Sequence, residues 1–176
     1  MINNANRALG YLRRNFLSAP TSLKLLLYKS VVRSKLEYAA SIWDPFTENL
    51  ISSLELIQNN SARFILQNYN RTASVTSMKN TLQLPSLASH RKHARRCLMH
   101  KIMHHNPRLH RDLILPPSYA SSRVDHAHKI GIPFFKTKCA AESFLPRTAK
   151  DWNHLPGSTA SIIDHQRFCS ALAIIV

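Results

Sequence analysis

Pro20-Thr21-Ser22-Leu23-Lys24-Leu25-Leu26-Leu27-Tyr28-Lys29-Ser30-Val31-Val32-Arg33-Ser34-Lys35-Leu36-Glu37-Tyr38-Ala39-Ala40-Ser41-Ile42-Trp43-Asp44-Pro45 carries the clearest periodicity in the chain. Leu25, Tyr28, Val32, Leu36, Ala39 and Trp43 recur at steps of three and four, the spacing of one helical face. Pro20 suits the first turn, where its missing N–H costs nothing. Asp44-Pro45 ends the helix. With only Gly10, Gly131 and Gly157 in the chain, a helical fold is expected rather than a β fold of many turns.

Working outward, Ala5, Leu9, Leu12 and Phe16 mark a helix over 5–17. Leu50, Leu54, Ile57, Phe64 and Ile65 mark another over 48–68, with Thr47 as N-cap. A short helix near 75–83 stops at Pro85. Ser86 caps a fifth, reaching about His105, with Leu87, Ala94, Leu98 and Ile102 as its apolar stripe. Residues 118–128 read as a polar linker and 130–138 as extended. Residues 143–154 and 161–173 suit short amphipathic helices. The fold class is mainly α: an irregular multi-helix bundle of about five helices, with an extended linker and a short helical C-terminal tail. The expected divisions are a basic helical domain over 1–115, the linker over 116–138 and the tail over 139–176. No internal repeat is present.

Charge points to a partner. Twenty-four Lys and Arg face nine Asp and Glu, a net +15. Solubility needs far less, and such an excess repels itself unless a polyanion neutralises it. Nucleic acid is the usual polyanion, because each neutralised phosphate releases counterions. The excess is +6 over 86–118, a segment that also holds six of the ten histidines, and +5 over 1–46. Cys97, Cys139 and Cys169 are odd in number and do not form a disulfide framework. The first residues are no signal peptide, and no apolar run spans a membrane. A nuclear or cytoplasmic location, without a membrane partner, is expected.

On the fifth helix Arg91, Lys92, Arg95 and Arg96 share one face, offset from the apolar stripe, and no acidic residue lies between 86 and 111. This is the expected phosphate-binding face. Reversing its four charges is expected to weaken binding sharply. His93, Cys97, His100 and His104 lie on one side of the same helix, where adjacent pairs are spaced to share a metal ion. All four cannot, since they extend over about 16 Å of helix. No CxxC accompanies them, so the expectation is a polar face with no metal and no cofactor.

Catalytic motifs are missing. Two-metal nucleotidyl chemistry needs neighbouring carboxylates, and no Asp-Asp or Asp-x-Asp occurs. There is no Gly-rich phosphate loop and no GxSxG.

Three segments, in order, carry a resemblance. They are Ala5-Asn6-Arg7-Ala8-Leu9-Gly10-Tyr11-Leu12-Arg13-Arg14, residues 28–40 leading to Trp43-Asp44-Pro45, and Ser143-Phe144-Leu145-Pro146-Arg147-Thr148-Ala149-Lys150-Asp151-Trp152-Asn153-His154-Leu155-Pro156. Residues 58–64, 74–78 and 87–96 join them. Together they resemble the region downstream of the catalytic core in non-LTR (LINE-type, jockey and CR1-like) retrotransposon reverse transcriptases, over residues 5–172. That family's activity is RNA-directed DNA polymerisation, and its catalytic aspartates lie in a palm upstream of everything seen here. The resemblance therefore implies a thumb-like domain over 1–115 and no catalytic residue. Ser34 departs from the family's proline, a lysine is missing after Phe168, and the chain ends on an apolar Ala173-Ile174-Ile175-Val176. These departures suggest a truncated or decaying element copy.

The resulting expectation is a non-catalytic fragment that binds RNA or an RNA–DNA hybrid through backbone phosphates, using Arg13, Arg14, Arg91, Lys92, Arg95, Arg96, Lys101 and Arg147. No small-molecule substrate is expected. Arg147 and Lys150 reach either a phosphate or a helix C-terminus. Leu36, Tyr38 and Trp43 are expected in the core rather than as base-stacking platforms. The rival readings are a protein–protein adapter, a non-functional expressed remnant, and an accessory part of an active polymerase assembled with other chains.

Overall fold

The computed structural model describes residues 1–121, 123 and 125–175, with side chains through residue 173. Residues 122 and 124 of the expected linker, and Val176 of the closing apolar run, lie outside that set. Among the described residues every regular element is helical. Helix α1 is Ile2–Asn15. Then α2 (Thr21–Leu27), a π-helical segment (Tyr28–Arg33) and α3 (Ser34–Glu37) follow without a break. The rest are α4 (Ala40–Trp43), α5 (Glu48–Leu66), α6 (Val75–Thr81), α7 (Leu87–His105), α8 (Pro107–Leu113), α9 (Lys138–Ala141), α10 (Phe144–Asn153), α11 (Gly157–Ala160) and α12 (His165–Ile175). No helix among the described residues is long and apolar enough to cross a membrane.

The mainly helical class is as expected, but eleven helical stretches among the described residues replace about five and a tail. Helix α8 begins on Pro107, with Asn106 Oδ1 accepting the Leu109 N–H at 3.1 Å. Proline can open a helix as well as stop one, and here it opens. Helices α9 and α11 are single turns, too short for periodicity to reveal.

The chain forms two compact units. Unit 1 combines Met1–Ala39 with Pro45–His90, and unit 2 combines Ala40–Asp44 with the chain from Arg91 onward. The division falls inside α7, whereas the expected domain edge is at 115.

Unit 1 is built from α1 and α5, whose expected stripes hold except at their ends, where Phe16 is half-buried and Leu50 is exposed. Ala5, Leu9 and Leu12 are buried, as are Leu54, Ile57, Phe64 and Ile65. The decisive stretch is shifted. Its buried residues in this unit are Lys24, Tyr28, Val32, Arg33 and Leu36, while Leu25 is only half-buried. Four of these are spaced four apart. A four-residue step overshoots an α-turn by about 40°, so the stripe would spiral off its face. The π segment takes more residues per turn and holds it in line. Lys24 is buried with its ammonium 5.5 Å over the Phe64 ring, a cation–π contact. The Tyr28 hydroxyl donates to Gln58 Oε1 at 2.9 Å, and Gln58 Nε2 donates to the Pro85 carbonyl at 2.8 Å. The helix ends at Glu37. Ala39, expected within it, has φ 51°, in the left-handed region. Tyr38 is thereby turned out to 77 % exposure, against the expectation of a core position, while Leu36 is fully buried.

Unit 2 has its own core of Met99, Ile130, Ala149, Trp152, Leu155, Ala160, Phe168 and Leu172. Three consecutive residues of α10 do different work. Asp151 forms ion pairs, Trp152 fills the core, and Asn153 clamps Ile130, accepting its N–H at 3.0 Å and donating to its carbonyl at 2.8 Å. This clamp fixes the start of the segment read as extended, which forms no strand.

Candidate nucleic-acid interface

The expected binding face of α7 is not a solvent face. Arg91, Arg95 and Arg96 are buried, and Lys92 alone of the four is exposed. Leu87, Arg91, Arg95, Met99 and Ile102 line the buried side, while Ala94 and Leu98 are only half-buried. Carboxylates from elsewhere in unit 2 make this possible. Arg91 Nε lies 2.6 Å from Asp44 Oδ1, and Arg95 pairs with the same carboxylate. Arg95 Nη2 lies 2.8 Å from Asp151 Oδ2, and Lys92 Nζ lies 3.5 Å from Asp151 Oδ1. Arg147 Nη1 is 3.2 Å from Asp44 Oδ2, and its Nε is 3.8 Å from Glu142. Arg147 thus reaches carboxylates and, through Nη1, the Asp44 carbonyl just past the end of α4 at 3.5 Å, so the helix-end alternative holds in part. Burial lowers the pKa of Arg95 and of Arg96, and Asp151 opposes the shift in both. Reversing all four charges on α7 would break this network, so that experiment reads stability before it reads binding.

The residues expected on α1 divide. Arg13 is half-buried and donates from Nη2 to the Asn60 carbonyl at 3.0 Å. Arg14 is exposed, and it belongs to a site that periodicity alone did not reveal. Arg7, Tyr11 and Arg14 stand at i, i+4 and i+7 on α1, all exposed. With Lys35 of α3, Asn4 and Asn6 they line a concavity of ≈ 710 Å³, and no described carboxylate lines it. Arg7 and Arg14 are about 10 Å apart along the helix, the reach of about three phosphates of one strand. Tyr11 is 55 % exposed between them, a ring available for stacking on a base. The signal was in the sequence as a basic–aromatic–basic face opposite Ala5, Leu9 and Leu12. Lys101, the remaining expected residue, is exposed on α7 within unit 2.

The His/Cys face of α7 also resolves into separate roles. His100 is fully buried and stacks on Phe168, with ring centroids 4.2 Å apart. It contacts the Ile162 carbonyl through Nε2 at 2.7 Å and His165 Nδ1 through Nδ1 at 3.1 Å. His93 Nε2 lies 3.4 Å from Cys97 Sγ, which lies 2.9 Å from Cys169 Sγ. Burial, then the Cys169 thiol, pushes the Cys97 pKa up to about 12. His93, Cys97 and Cys169 are the residues placed to hold a metal, and Cys169 had not been connected to the other two.

Burial lowers the pKa of His100, His104 and His165. These histidines are held neutral in the folded chain, whereas in the unfolded chain they titrate near the ordinary value of about 6.5. Their contribution to stability is complete above that value and is lost as pH falls through the folded pKa values. The metal-free chain is therefore expected to melt at lower temperature at pH 5.5 than at pH 7.5, read by circular dichroism. A flat profile across that window would contradict neutral burial. Glu37 contributes in a lower window. Burial raises its pKa, but hydrogen bonds from His90 and Arg33 outweigh that and the net shift is downward, so its share is lost only in more acidic solution.

Comparison of the chain with protein families, with curated proteins and with solved structures found no match.

Proposed function

We propose that this chain is a non-catalytic fragment of a LINE-type retrotransposon reverse transcriptase that binds RNA or RNA–DNA hybrid through backbone phosphates. The observation that carries the binding reading is the α1 concavity, with Arg7, Arg14 and Lys35 around an exposed Tyr11 and no carboxylate among its described lining residues. Guanidinium and ammonium groups position a phosphate backbone without reading sequence, and an aromatic ring stacks on any base. The net +15 supplies long-range attraction for the polyanion. The parentage rests on the ordered motifs from Ala5 to Leu172.

The test is fluorescence anisotropy of a labelled single-stranded RNA and of an RNA–DNA hybrid across a salt series. Binding is expected to weaken steeply with salt and to depend little on sequence. A variant with Arg7→Glu, Arg14→Glu and Lys35→Glu is expected to flatten the salt slope on single strands by about 2, roughly 0.7 per lost contact. Circular dichroism serves as the folding control, since all three side chains are exposed. Unchanged affinity and slope in the folded variant would remove the concavity from the proposal. In a primer-extension assay the chain alone is expected to yield no product, and extension would overturn the non-catalytic reading.

A further inference from the structure

Two helices of unit 2 carry the same short pattern. On α7 it is His93-x-x-x-Cys97, and on α12 it is His165-x-x-x-Cys169. A four-residue step puts each histidine one turn from its cysteine on the same helical face. The two patterns meet through their sulfurs. His93 Nε2, Cys97 Sγ and Cys169 Sγ all lie within 4.8 Å of one another, and His165 Nε2 is 3.5 Å from Cys169 Sγ. We propose that His93, Cys97 and Cys169 form a structural zinc site, and that His165, outside this three-residue group but beside Cys169, moves in as the fourth ligand of a Cys2His2 tetrahedron.

Two of the tetrahedron's N···S edges are already in place. With Zn–S of about 2.3 Å and Zn–N of about 2.0–2.1 Å, a tetrahedron has N···S edges of about 3.6 Å and an S···S edge of about 3.8 Å. The two N···S separations, 3.4 and 3.5 Å, are already at that edge length. The 2.9 Å between the sulfurs must open by roughly 0.9 Å to reach the zinc edge. Both cysteines are free thiols and half-buried, so side-chain rotation can open that edge, and His165 must also approach His93 and Cys97. Zinc with two thiolates and two neutral imidazoles is a neutral unit, suited to a half-buried position. Binding displaces one proton from each thiol to solvent.

His165 is prepared for this role by His100. If His100 Nε2–H donates to the Ile162 carbonyl, its Nδ1 carries a lone pair. His165 Nδ1–H then donates to that lone pair. The remaining nitrogen of His165, Nε2, is left unprotonated and faces Cys169. Metal-bound histidines commonly have their second nitrogen fixed by such an outer partner. The site does not depend on the nucleic-acid reading, and it joins α12 to α7 within unit 2.

The test uses the full reduced chain. Titration with Co²⁺ is expected to give sulfur-to-metal charge transfer and tetrahedral ligand-field bands, saturating at one ion per chain and bleached by Zn²⁺. Zinc is expected to protect Cys97 and Cys169 from alkylation while Cys139, exposed on α9, reacts at full rate, as read by peptide mass spectrometry. Cys97→Ser and Cys169→Ser should each weaken Co²⁺ binding at least 100-fold, and Cys139→Ser should leave it unchanged. His165→Asn should weaken it about 10-fold. Absence of the charge-transfer band in the unmodified chain, or equal alkylation of all three cysteines with zinc present, overturns the proposal without relying on any variant's folding. Loss of binding in Cys139→Ser as large as in Cys97→Ser overturns the assignment of ligands.

Discussion

Unit 2 is expected to lose about 3–5 kcal/mol of stability when Asp44 is replaced by alanine, because removing one partner of a buried ion pair strands the other charge. Asp44 answers three guanidinium groups, those of Arg91, Arg95 and Arg147. Its side chain is only 6 % exposed, and that of Arg91 is 1 % exposed. Water cannot take over the lost contacts without opening the packing around α7. Asp44→Asn keeps the shape and removes the charge, so it is expected to cost nearly as much, which separates electrostatics from side-chain volume. Both tryptophans, Trp43 and Trp152, belong to unit 2. Their fluorescence in a urea titration therefore reports the unit concerned. A loss under about 1 kcal/mol would mean the pairs behave like solvent-exposed ones.

This network also explains what was legible in the sequence. Helices whose buried faces are mainly apolar, α1 and α5, could be read from spacing alone, although Gln58 and Ser61 are buried on α5 beside the apolar residues. Ser86 and Ser74 cap as their chemistry suggests, accepting from the Ser89 and Ser77 N–H groups. Helix α7 was misread because its buried face contains Arg91 and Arg95, which a hydrophobicity pattern assigns to water. Only the positions of Asp44 and Asp151, far away in sequence, make burial affordable for those guanidiniums. The π segment was hidden for a related reason, since a four-residue stripe looks helical whether or not the backbone adjusts to keep it aligned. The α1 concavity needed Lys35 of α3, and the His/Cys cluster needed α12. Both are tertiary facts that a single helical face cannot contain. The repeated His-x-x-x-Cys spacing was nonetheless in plain sight at 93–97 and 165–169.

Trp152→Ala is the second substitution expected to reach several kcal/mol, at about 3–5 for a large buried aromatic. Trp152 is fully buried at the centre of the unit 2 core, with its ring centroid 5.7 Å from Phe168 and 6.4 Å from His100. Its indole N–H donates to the His128 carbonyl at 2.9 Å, so truncation opens a cavity and also leaves that carbonyl without this donor. The neighbouring Asn153 clamp holds Ile130 on the same stretch of chain, so the loss should spread to residues 128–130 rather than stay local. Trp152→Phe isolates the two effects, because it keeps most of the ring packing and removes the donor. It is expected to lie well short of the alanine variant in a urea titration followed by circular dichroism. Amide hydrogen exchange should show loss of protection at Ile130 in Trp152→Ala and retention in Trp152→Phe. Equal destabilisation by the two would mean that the hydrogen bond to His128, and not the volume of the ring, holds the tail to its core.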